Sequence, residues 1–234
     1  MKNIIIVGGS GLLGGNILSI LSEKKDISVI SLVRKKNDDT KSSSINEVIF
    51  NFDDENEYKK IGSEIPCHIF ICCLGTTIRK AKSFESFIKV DKEYPINFLE
   101  HLKVNSPNAL FVFTSSIGVS NPRGYYLTAK SEVEKAITKS LIHYIIVRPS
   151  ILLGKRKELR IAETIGGIVL NKVDNFFKKL NFSEEFSFSK YAPIEAKQVA
   201  HTMVYHALNF DRSLPGMILE GDSLKFNENE EKNS

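Results

Sequence analysis

The stretch GYYLTAK, residues 124–130, contains two adjacent tyrosines and a lysine four residues after the second. If this stretch is helical, Tyr126 and Lys130 share one face, with their Cβ atoms about 6 Å apart. A lysine ammonium at that distance favours the ionised form of a phenol, which helps the phenol to exchange a proton near neutral pH. An exposed helix face produces the same spacing by chance, so the pair alone does not establish catalysis.

Two serines precede this pair at the end of an apolar run. ALFVFTSS (109–116) has the composition of a buried strand and ends in Ser115 and Ser116. Ligands of open α/β folds bind at the carboxyl ends of such strands, where a serine hydroxyl can orient a carbonyl oxygen toward Tyr126. Either serine fits this role.

Three glycines, Gly8, Gly11 and Gly14, are spaced three apart in GGSGLLG, between an apolar run and a helical pattern. A strand that turns sharply into a helix with bare backbone amides can bind a pyrophosphate at the helix N-terminus. The alternative is a glycine-rich turn with no ligand. The context of the glycines favours a dinucleotide-binding turn.

The second predicted strand ends at Arg34, which is followed by Lys35 and Lys36. NAD-binding folds usually carry an acidic residue there for the ribose hydroxyls. A guanidinium instead binds a 2′-phosphate, so the position favours NADP(H) over NAD(H), unless the basic residues are only a solvated loop. Asp53, just after the third strand, is placed to accept a hydrogen bond from the adenine amino group, or else Asp53 and Asp54 begin a helix.

Short apolar strands alternate with helical patterns as far as residue 150. Strands are predicted at 3–8, 27–34, 45–50, 67–75, 109–116 and 143–149, and helices at 12–25, 83–104, 126–140 and 195–209. Pro95 predicts a kink in the helix at 83–104. The alternation predicts an α/β fold with a doubly wound parallel sheet.

The 234 residues fit one large α/β domain. We expect a single dinucleotide-binding domain over residues 1–221, in which 149–221 form a small C-terminal extension that covers the substrate side. Residues 222–234 are polar and predict a disordered tail. The basic segment 155–160 is either a pocket wall or clamp for an anionic substrate, or a solvated surface run.

Composition excludes several classes of protein. The net charge of +4 comes from scattered basic residues, which do not predict a nucleic-acid surface. Every apolar run is far shorter than a membrane span, so no membrane contact is expected. The clustered Cys67, Cys72 and Cys73 have the pattern of core residues and, without a secretion signal, predict a reduced cytoplasmic setting. His201 and His206 lie five apart, and no metal site is predicted.

The order of these features, with a glycine turn, a serine at the end of the fifth strand and then Tyr-x-x-x-Lys, resembles the short-chain dehydrogenase/reductase superfamily. The segments CCLGTT (72–77), FIKVDKEY (87–94) and RPSILLGKRKELR (148–160) are similar to those of an atypical branch, the Tat-interacting-protein oxidoreductases and their bacterial relatives. The similarity extends over residues 3–210. It implies a Rossmann fold and a nicotinamide cofactor.

The resemblance also implies roles for individual residues. It places phosphate-binding backbone at Gly8, Ser10, Gly11, Leu12 and Leu13, contacts to the 2′-phosphate at Arg34 and Lys35, and a loop beside the nicotinamide ribose at Leu74, Gly75 and Thr76. By analogy Tyr126 is the proton donor and acceptor, and Lys130 contacts the nicotinamide ribose and tunes Tyr126. Ser116 is the closer match to the superfamily's serine. Asp91 stands where many relatives with an extended fold have asparagine.

Three functions are compatible with these features. The leading hypothesis is an NADPH-dependent oxidoreductase that acts on a small-molecule carbonyl or alcohol. The second is a non-enzymatic NADPH-binding sensor. The third is a sugar-nucleotide epimerase or dehydratase, which usually needs a larger substrate domain than the 85 residues after Pro149. A monomer or homodimer is expected.

Overall fold

The computed structural model describes residues 1–36, 44–154 and 192–226. The strands within these ranges are β1 (Lys2–Val7), β2 (Ile27–Val33), β3 (Ile45–Ile49), β4 (Ile69–Cys72), β5 (Leu110–Thr114), β6 (His143–Arg148), β7 (Leu152–Leu153), β8 (Ile194–Glu195) and β9 (Gly216–Glu220). The α-helices are α1 (Leu12–Ser22), α2 (Glu55–Lys59), α3 (Ile78–Ala81), α4 (Phe84–Ile88), α5 (Tyr94–Asn105), α6 (Gly124–Lys139) and α7 (Ala196–Leu208). A π-helical turn covers Lys89–Glu93, and a 3-10 turn covers Gly221–Leu224.

Seven strands form one parallel sheet in the order β3-β2-β1-β4-β5-β6-β9, and β7 pairs with β8 separately. The strand order reverses between β1 and β4, which is where open α/β sheets bind ligands. This arrangement confirms the predicted doubly wound Rossmann fold. The seventh strand, β9, was not predicted; it pairs with β6 from Tyr144 to Arg148.

Both faces of the sheet are buried, which explains the nearly continuous apolar runs of its strands. Ile4 and Ile6 of β1 face the side covered by α1 and α7, whereas Ile5 and Val7 face the side covered by α5 and α6. The second side is rich in aromatic rings, with Phe98 of α5 against Phe70 at 4.7 Å between ring centroids. The helix that precedes the fifth strand is therefore anchored firmly under the sheet.

The helix predicted at 83–104 is instead three segments, α4, the π-helical turn and α5. Pro95 has no N–H to donate to the carbonyl of Asp91, four residues earlier, and the turn before it is wider than an α-helical turn. The Tyr94 N–H bonds to the Lys89 carbonyl, five residues back. A wide turn thus replaces the expected kink, and it carries Asp91, which is fully buried.

The first residues of the predicted tail, 222–226, lie within the described part of the chain. Leu224 is buried, and its carbonyl accepts a hydrogen bond of 3.0 Å from the Thr202 hydroxyl of α7. Residues 227–234 of the predicted tail and the basic segment 155–160 lie outside the described residues. Of the helices described, none has the length and apolar character that crossing a bilayer requires.

The turn from β1 to α1 needs glycine for steric reasons. Gly8 has φ of +82°, and a Cβ there would lie 2.4 Å from the carbonyl oxygen of Cys73, just after β4. A Cβ on Gly14 would lie 2.3 Å from the carbonyl oxygen of Gly8. Helix α1 can therefore pack against the turn, and the turn against β4, only while both positions lack a side chain.

Substitution of Gly14 by alanine tests this packing. We expect Gly14→Ala to lower the free energy of unfolding by about 1–3 kcal/mol, because the methyl group meets rigid backbone. Gly15→Ala is the matched control, since its Cβ would meet the Gly9 carbonyl oxygen at an ordinary 3.5 Å. In a helix interior that change stabilises by up to about 1 kcal/mol. Urea unfolding measures both variants, and equal midpoints for the two would contradict the steric account.

Candidate active site

The carboxyl edge of the sheet gathers the candidate residues from four parts of the chain. The glycine turn follows β1, Leu74–Thr76 follow β4, and Ser115–Ser116 follow β5. Helix α6 brings Tyr126 in its first turn and Lys130 one turn later, on the same face. Residues far apart in sequence therefore meet where the strand order reverses.

Lys130 is buried at this edge, with 2% of its side chain exposed. Its ammonium donates hydrogen bonds to the carbonyl oxygens of Leu74, at 3.1 Å, and Thr114, at 3.3 Å. It also lies 3.4 Å from Oδ1 of Asp91 and 4.9 Å from the centre of the Phe113 ring. A buried ammonium needs such partners to offset its lost hydration, and here they are two carbonyl oxygens and the charge of the Asp91 carboxylate.

Asp91 lies opposite Lys130 and is the more buried partner, with none of its side chain exposed. Its Oδ2 accepts a 2.8 Å hydrogen bond from the Thr76 backbone N–H. Burial raises the pKa of the Asp91 carboxyl, against the lowering effects of Lys130 and Thr76. Burial also acts to lower the pKa of Lys130, but the charge of Asp91 outweighs it together with smaller contributions, and the pKa of Lys130 is raised. Lys130 is therefore an ammonium at neutral pH.

The two adjacent tyrosines have different surroundings. Tyr126 is half-buried, its ring centroid is 6.4 Å from that of Phe87, and it lies near enough to Lys130 to act on the pKa of that lysine. Tyr125 is half exposed, and its ring makes edge-on contacts with Phe84 and Phe87. Tyr126 is thus the tyrosine associated with Lys130, whereas Tyr125 packs against α4. The catalytic role of Tyr126 stays a prediction.

Both candidate serines lie at the same edge. Ser115 is buried, and its hydroxyl has no hydrogen-bond partner among the described residues, while its backbone N–H bonds to the Val147 carbonyl at 2.7 Å. Ser116 is half-buried, and its hydroxyl donates to the Ile117 carbonyl at 3.3 Å. Neither contact assigns a function, so the choice between the serines stays open.

Sequence reasoning missed a charged network beside the site. Arg148 donates to both carboxylate oxygens of Glu134, at 3.0 and 2.6 Å, and at 3.0 Å each to the hydroxyl of Ser120 and a carboxylate oxygen of Glu220. These bonds join α6, β6, β9 and the loop after β5. Glu134 lies four residues after Lys130, so the spacing Tyr-x-x-x-Lys-x-x-x-Glu was the available signal. The network fixes the helix that carries Tyr126 and Lys130.

The glycine turn fits the pyrophosphate of a dinucleotide. The first N–H groups of an α-helix have no intrahelical partner, and Gly11, at the start of α1, has no side chain to cap them. Ser10 is exposed, Leu12 is half-buried and Leu13 is buried. Unpaired amides and a surface free of side chains are what close approach of a phosphate requires.

The opposite end of the edge carries the residues predicted to hold the adenosine. Arg34 and Lys35 follow β2 and are exposed. Asp53 follows β3, and its Oδ1 accepts hydrogen bonds from Lys89, at 3.0 Å, and from the Tyr94 hydroxyl, at 2.9 Å. These bonds lower the pKa of Asp53, so it stays a carboxylate. Sequence reasoning did not identify either donor.

Of Asp53 and Asp54, the pair predicted as an alternative helix start, only Asp54 begins the helix that follows. The N-terminal residue of α2 is capped by Asp54, whose Oδ1 accepts a 2.9 Å hydrogen bond from the Asn56 N–H. Asp53 therefore has no capping role. Burial and the charge of Asp53 raise the pKa of Tyr94 to about 12, and the positive charge of Arg34 acts in the opposite direction. Arg34 and Asp53 thus act in opposite directions on the ionisation of Tyr94.

The three cysteines are free thiols in the core. Burial raises the pKa of Cys72 to about 12 and that of Cys73 to about 11. Cys73 accepts a weak hydrogen bond of 3.4 Å from the Thr114 hydroxyl. Protonated, enclosed thiols of this kind are poor nucleophiles.

Comparisons with known proteins give the family. The model of the NAD dependent epimerase/dehydratase family matches residues 4–180. The mitochondrial protein FMP52 of Candida albicans is 31% identical over 172 residues, which are 69% of this chain and 74% of the relative. Protein HTATIP2 of Rattus norvegicus is 28% identical over 169 residues, which are 69% and 67% of the two chains.

Solved structures show the same fold at low identity. A short-chain type dehydrogenase/reductase from Mycobacterium ulcerans has a TM-score of 0.66 at 15% identity, and the match covers 95% of this chain and 90% of that one. The UDP-glucuronic acid 4-epimerase from Bacillus cereus, in complex with UDP-glucuronic acid and NAD, has a TM-score of 0.67 at 13% identity, over 94% and 77%. These likenesses support the fold alone.

The prediction of a cytoplasmic setting is wrong. Relatives from Candida albicans, Meyerozyma guilliermondii and Emericella nidulans are all named as mitochondrial proteins. Reduced cysteines do not distinguish these compartments, and the sequence features considered above carry no other signal of location.

Three findings indicate the same family: the family model that matches most of the chain, the resemblance to FMP52 and HTATIP2, and the Rossmann arrangement of the sheet. They also agree with the segments that indicated a short-chain dehydrogenase/reductase of the Tat-interacting type. The chain belongs to the NAD dependent epimerase/dehydratase family, whose fold binds a nicotinamide dinucleotide.

Proposed function

We propose that the protein is an NADPH-dependent oxidoreductase that interconverts a small carbonyl compound and its alcohol, with Tyr126 as the proton donor and acceptor. The observation that carries this proposal is the buried ammonium of Lys130, one helical turn from Tyr126 and bonded to the carbonyls of Leu74 and Thr114. A fully desolvated cation beside a phenol stabilises the phenolate. Lys130 is therefore placed to support proton transfer by Tyr126, whereas a surface lysine would interact mainly with solvent.

Each part of the site then has a task. The glycine turn holds the pyrophosphate through its backbone amides, and Leu74–Thr76 form the wall beside the nicotinamide ribose. A bound nicotinamide would supply or accept the hydride at the substrate carbon. In the direction of reduction Tyr126 gives its proton to the carbonyl oxygen, which becomes the alcohol hydroxyl. Lys130 stabilises the phenolate that remains, and oxidation reverses these steps.

The preference for NADPH is supported by charge at the end of β2. Arg34 and Lys35 are exposed there, where an acidic residue would favour NAD instead. A guanidinium binds a phosphate through two parallel hydrogen bonds, which an ammonium cannot do. Arg34 is therefore proposed to make the main contact with the 2′-phosphate.

Tyr126→Phe tests the chemical role. We expect turnover of a panel of aldehydes and ketones with NADPH to fall about 100-fold or more, because the proton donor is lost. NADPH affinity, measured by the change in its fluorescence, stays near that of the native protein.

The neighbouring tyrosine offers a matched control. Tyr125→Phe keeps the edge-on contacts of its ring with Phe84 and Phe87, and its turnover should equal that of the native protein. Turnover that survives Tyr126→Phe refutes the role given to Tyr126. If the native protein binds NADPH tightly but turns over no substrate of the panel, a non-catalytic sensor would be favoured.

Arg34→Gln tests the cofactor preference. Loss of a charged hydrogen bond costs about 1.5–3 kcal/mol, so NADPH should bind roughly 10- to 100-fold more weakly while NADH affinity is unchanged. Fluorescence titration with both cofactors measures the ratio. Lys139→Gln, which removes an exposed charge at the far end of α6, is the control and should change neither affinity. An equal loss for NADPH and NADH would contradict a contact with the 2′-phosphate.

A further inference from the structure

We infer that Asp91 is a positioning residue that keeps Lys130 charged and ties it to the loop Leu74–Thr76. The inference deepens the proposed function and rests on it in one respect, the assignment of Lys130 to the active site. It goes beyond that function because it gives a role to a buried carboxylate outside the Tyr126–Lys130 pair. Asp91 is fully buried and acts through Lys130.

The contacts form a closed arrangement around Gly75. Lys130 donates to the carbonyl of Leu74, before the glycine, and Asp91 accepts from the N–H of Thr76, after it. A Cβ on Gly75 would lie 3.6 Å from Asp91 Oδ1 and 3.9 Å from Lys130 Nζ. The ion pair therefore lies directly against the loop and bonds to the residues on both sides of Gly75.

An asparagine at position 91 could not make both contacts. If its carbonyl oxygen accepted from Thr76, its amide nitrogen would face the ammonium of Lys130, donor against donor. In the flipped orientation the oxygen would face Lys130, and the amide nitrogen would face the Thr76 N–H. A carboxylate accepts the Thr76 hydrogen bond with one oxygen and presents its other, negatively charged oxygen to the Lys130 ammonium. The aspartate is therefore required by the pair of donors that surround it.

The charge of Asp91 also dominates the surroundings of Lys130. The other titratable groups that face the ammonium are Tyr126 on α6 and the thiols of Cys72 and Cys73 at the end of β4. Burial keeps both thiols protonated. Asp91 Oδ1 has no hydrogen-bond partner among the described residues and is held by charge at 3.4 Å. Without this carboxylate, burial would lower the pKa of Lys130.

The pH at which Lys130 loses its proton depends on the Asp91 carboxylate. A lysine whose pKa is raised keeps its charge through neutral pH and loses it only when the pH passes that raised value. Removal of the carboxylate moves the loss to lower pH. In Asp91→Asn the support that Lys130 gives to Tyr126 should therefore disappear at a lower pH than in the native protein.

NMR of protein labelled with ¹³C at the lysine side chains, without cofactor, tests this inference. The Lys130 signal is assigned by its loss in Lys130→Met and followed as the pH is raised. In Asp91→Asn we expect it to titrate at least about one pH unit lower than in the native protein, a tenfold change in proton affinity. In the plot of turnover against pH, the fall in turnover on the alkaline side should shift to lower pH by the same interval.

A matched control comes from an ion pair between the same two elements. Lys92 of the π-helical turn pairs with Glu132 of α6, and their side chains are 34% and 43% exposed. Glu132→Gln should leave the Lys130 titration unchanged. An identical titration of Lys130 in Asp91→Asn and the native protein would overturn the inference. Because this readout needs neither NADPH nor substrate, failure of the proposed function would show separately, as absent NADPH binding or turnover.

A second variant covers the case in which Asp91→Asn folds but is too unstable for the pH titration. An unpaired buried charge is destabilising, and removal of both charges relieves the penalty. Asp91→Asn/Lys130→Met should therefore unfold at a higher urea concentration than Asp91→Asn, and its coupling energy is read from the double-mutant cycle. A double variant as unstable as Asp91→Asn would refute the ion pair as the reason for the aspartate.

Discussion

The end of β4 is the part of the backbone on which the rest of the site depends. The carbonyl of Cys73 faces Gly8 so closely that no side chain fits between them. The next carbonyl, that of Leu74, accepts a hydrogen bond from Lys130. Two consecutive peptide units therefore connect the glycine turn to the lysine of the proposed catalytic pair. A shift at either point would be transmitted to the other through rigid backbone rather than through flexible side chains.

Helix α6 is fixed by two sets of charges at successive turns. Lys130 contacts Asp91 on one side of the helix, and Glu134 accepts two hydrogen bonds from Arg148. Buried charges of this kind add little net stability, because desolvation offsets their attraction, but they specify geometry when every partner is satisfied. Tyr126 occupies the same helix one turn earlier, and its position follows from theirs. These polar groups therefore fix the position of helix α6 more than they raise the stability of the fold.

Much of the fold could be predicted, because buried parallel strands produce continuous apolar runs and the glycine turn has a spacing of its own. The strand β9 was missed because GMILE is short and acquires its register only by pairing with β6. Candidate residue types were also recognisable, but their partners were not. Asp91 meets Lys130, and Asp53 meets Tyr94, only after the chain has folded. The domain limits, the site roles and a monomeric or dimeric state stay predictions.

The wide turn before Pro95 has a consequence for how the sequence can change. Phe87 and Asp91 lie before or within this turn and are buried, as are Phe98 and Leu102 after it. Each residue of an α-helix advances the side chains by about 100°, so a one-residue deletion here would rotate one half of the helix against the other. Both halves could not then stay buried. Evolution can substitute residues along this segment, but its length is constrained as strictly as that of a central strand.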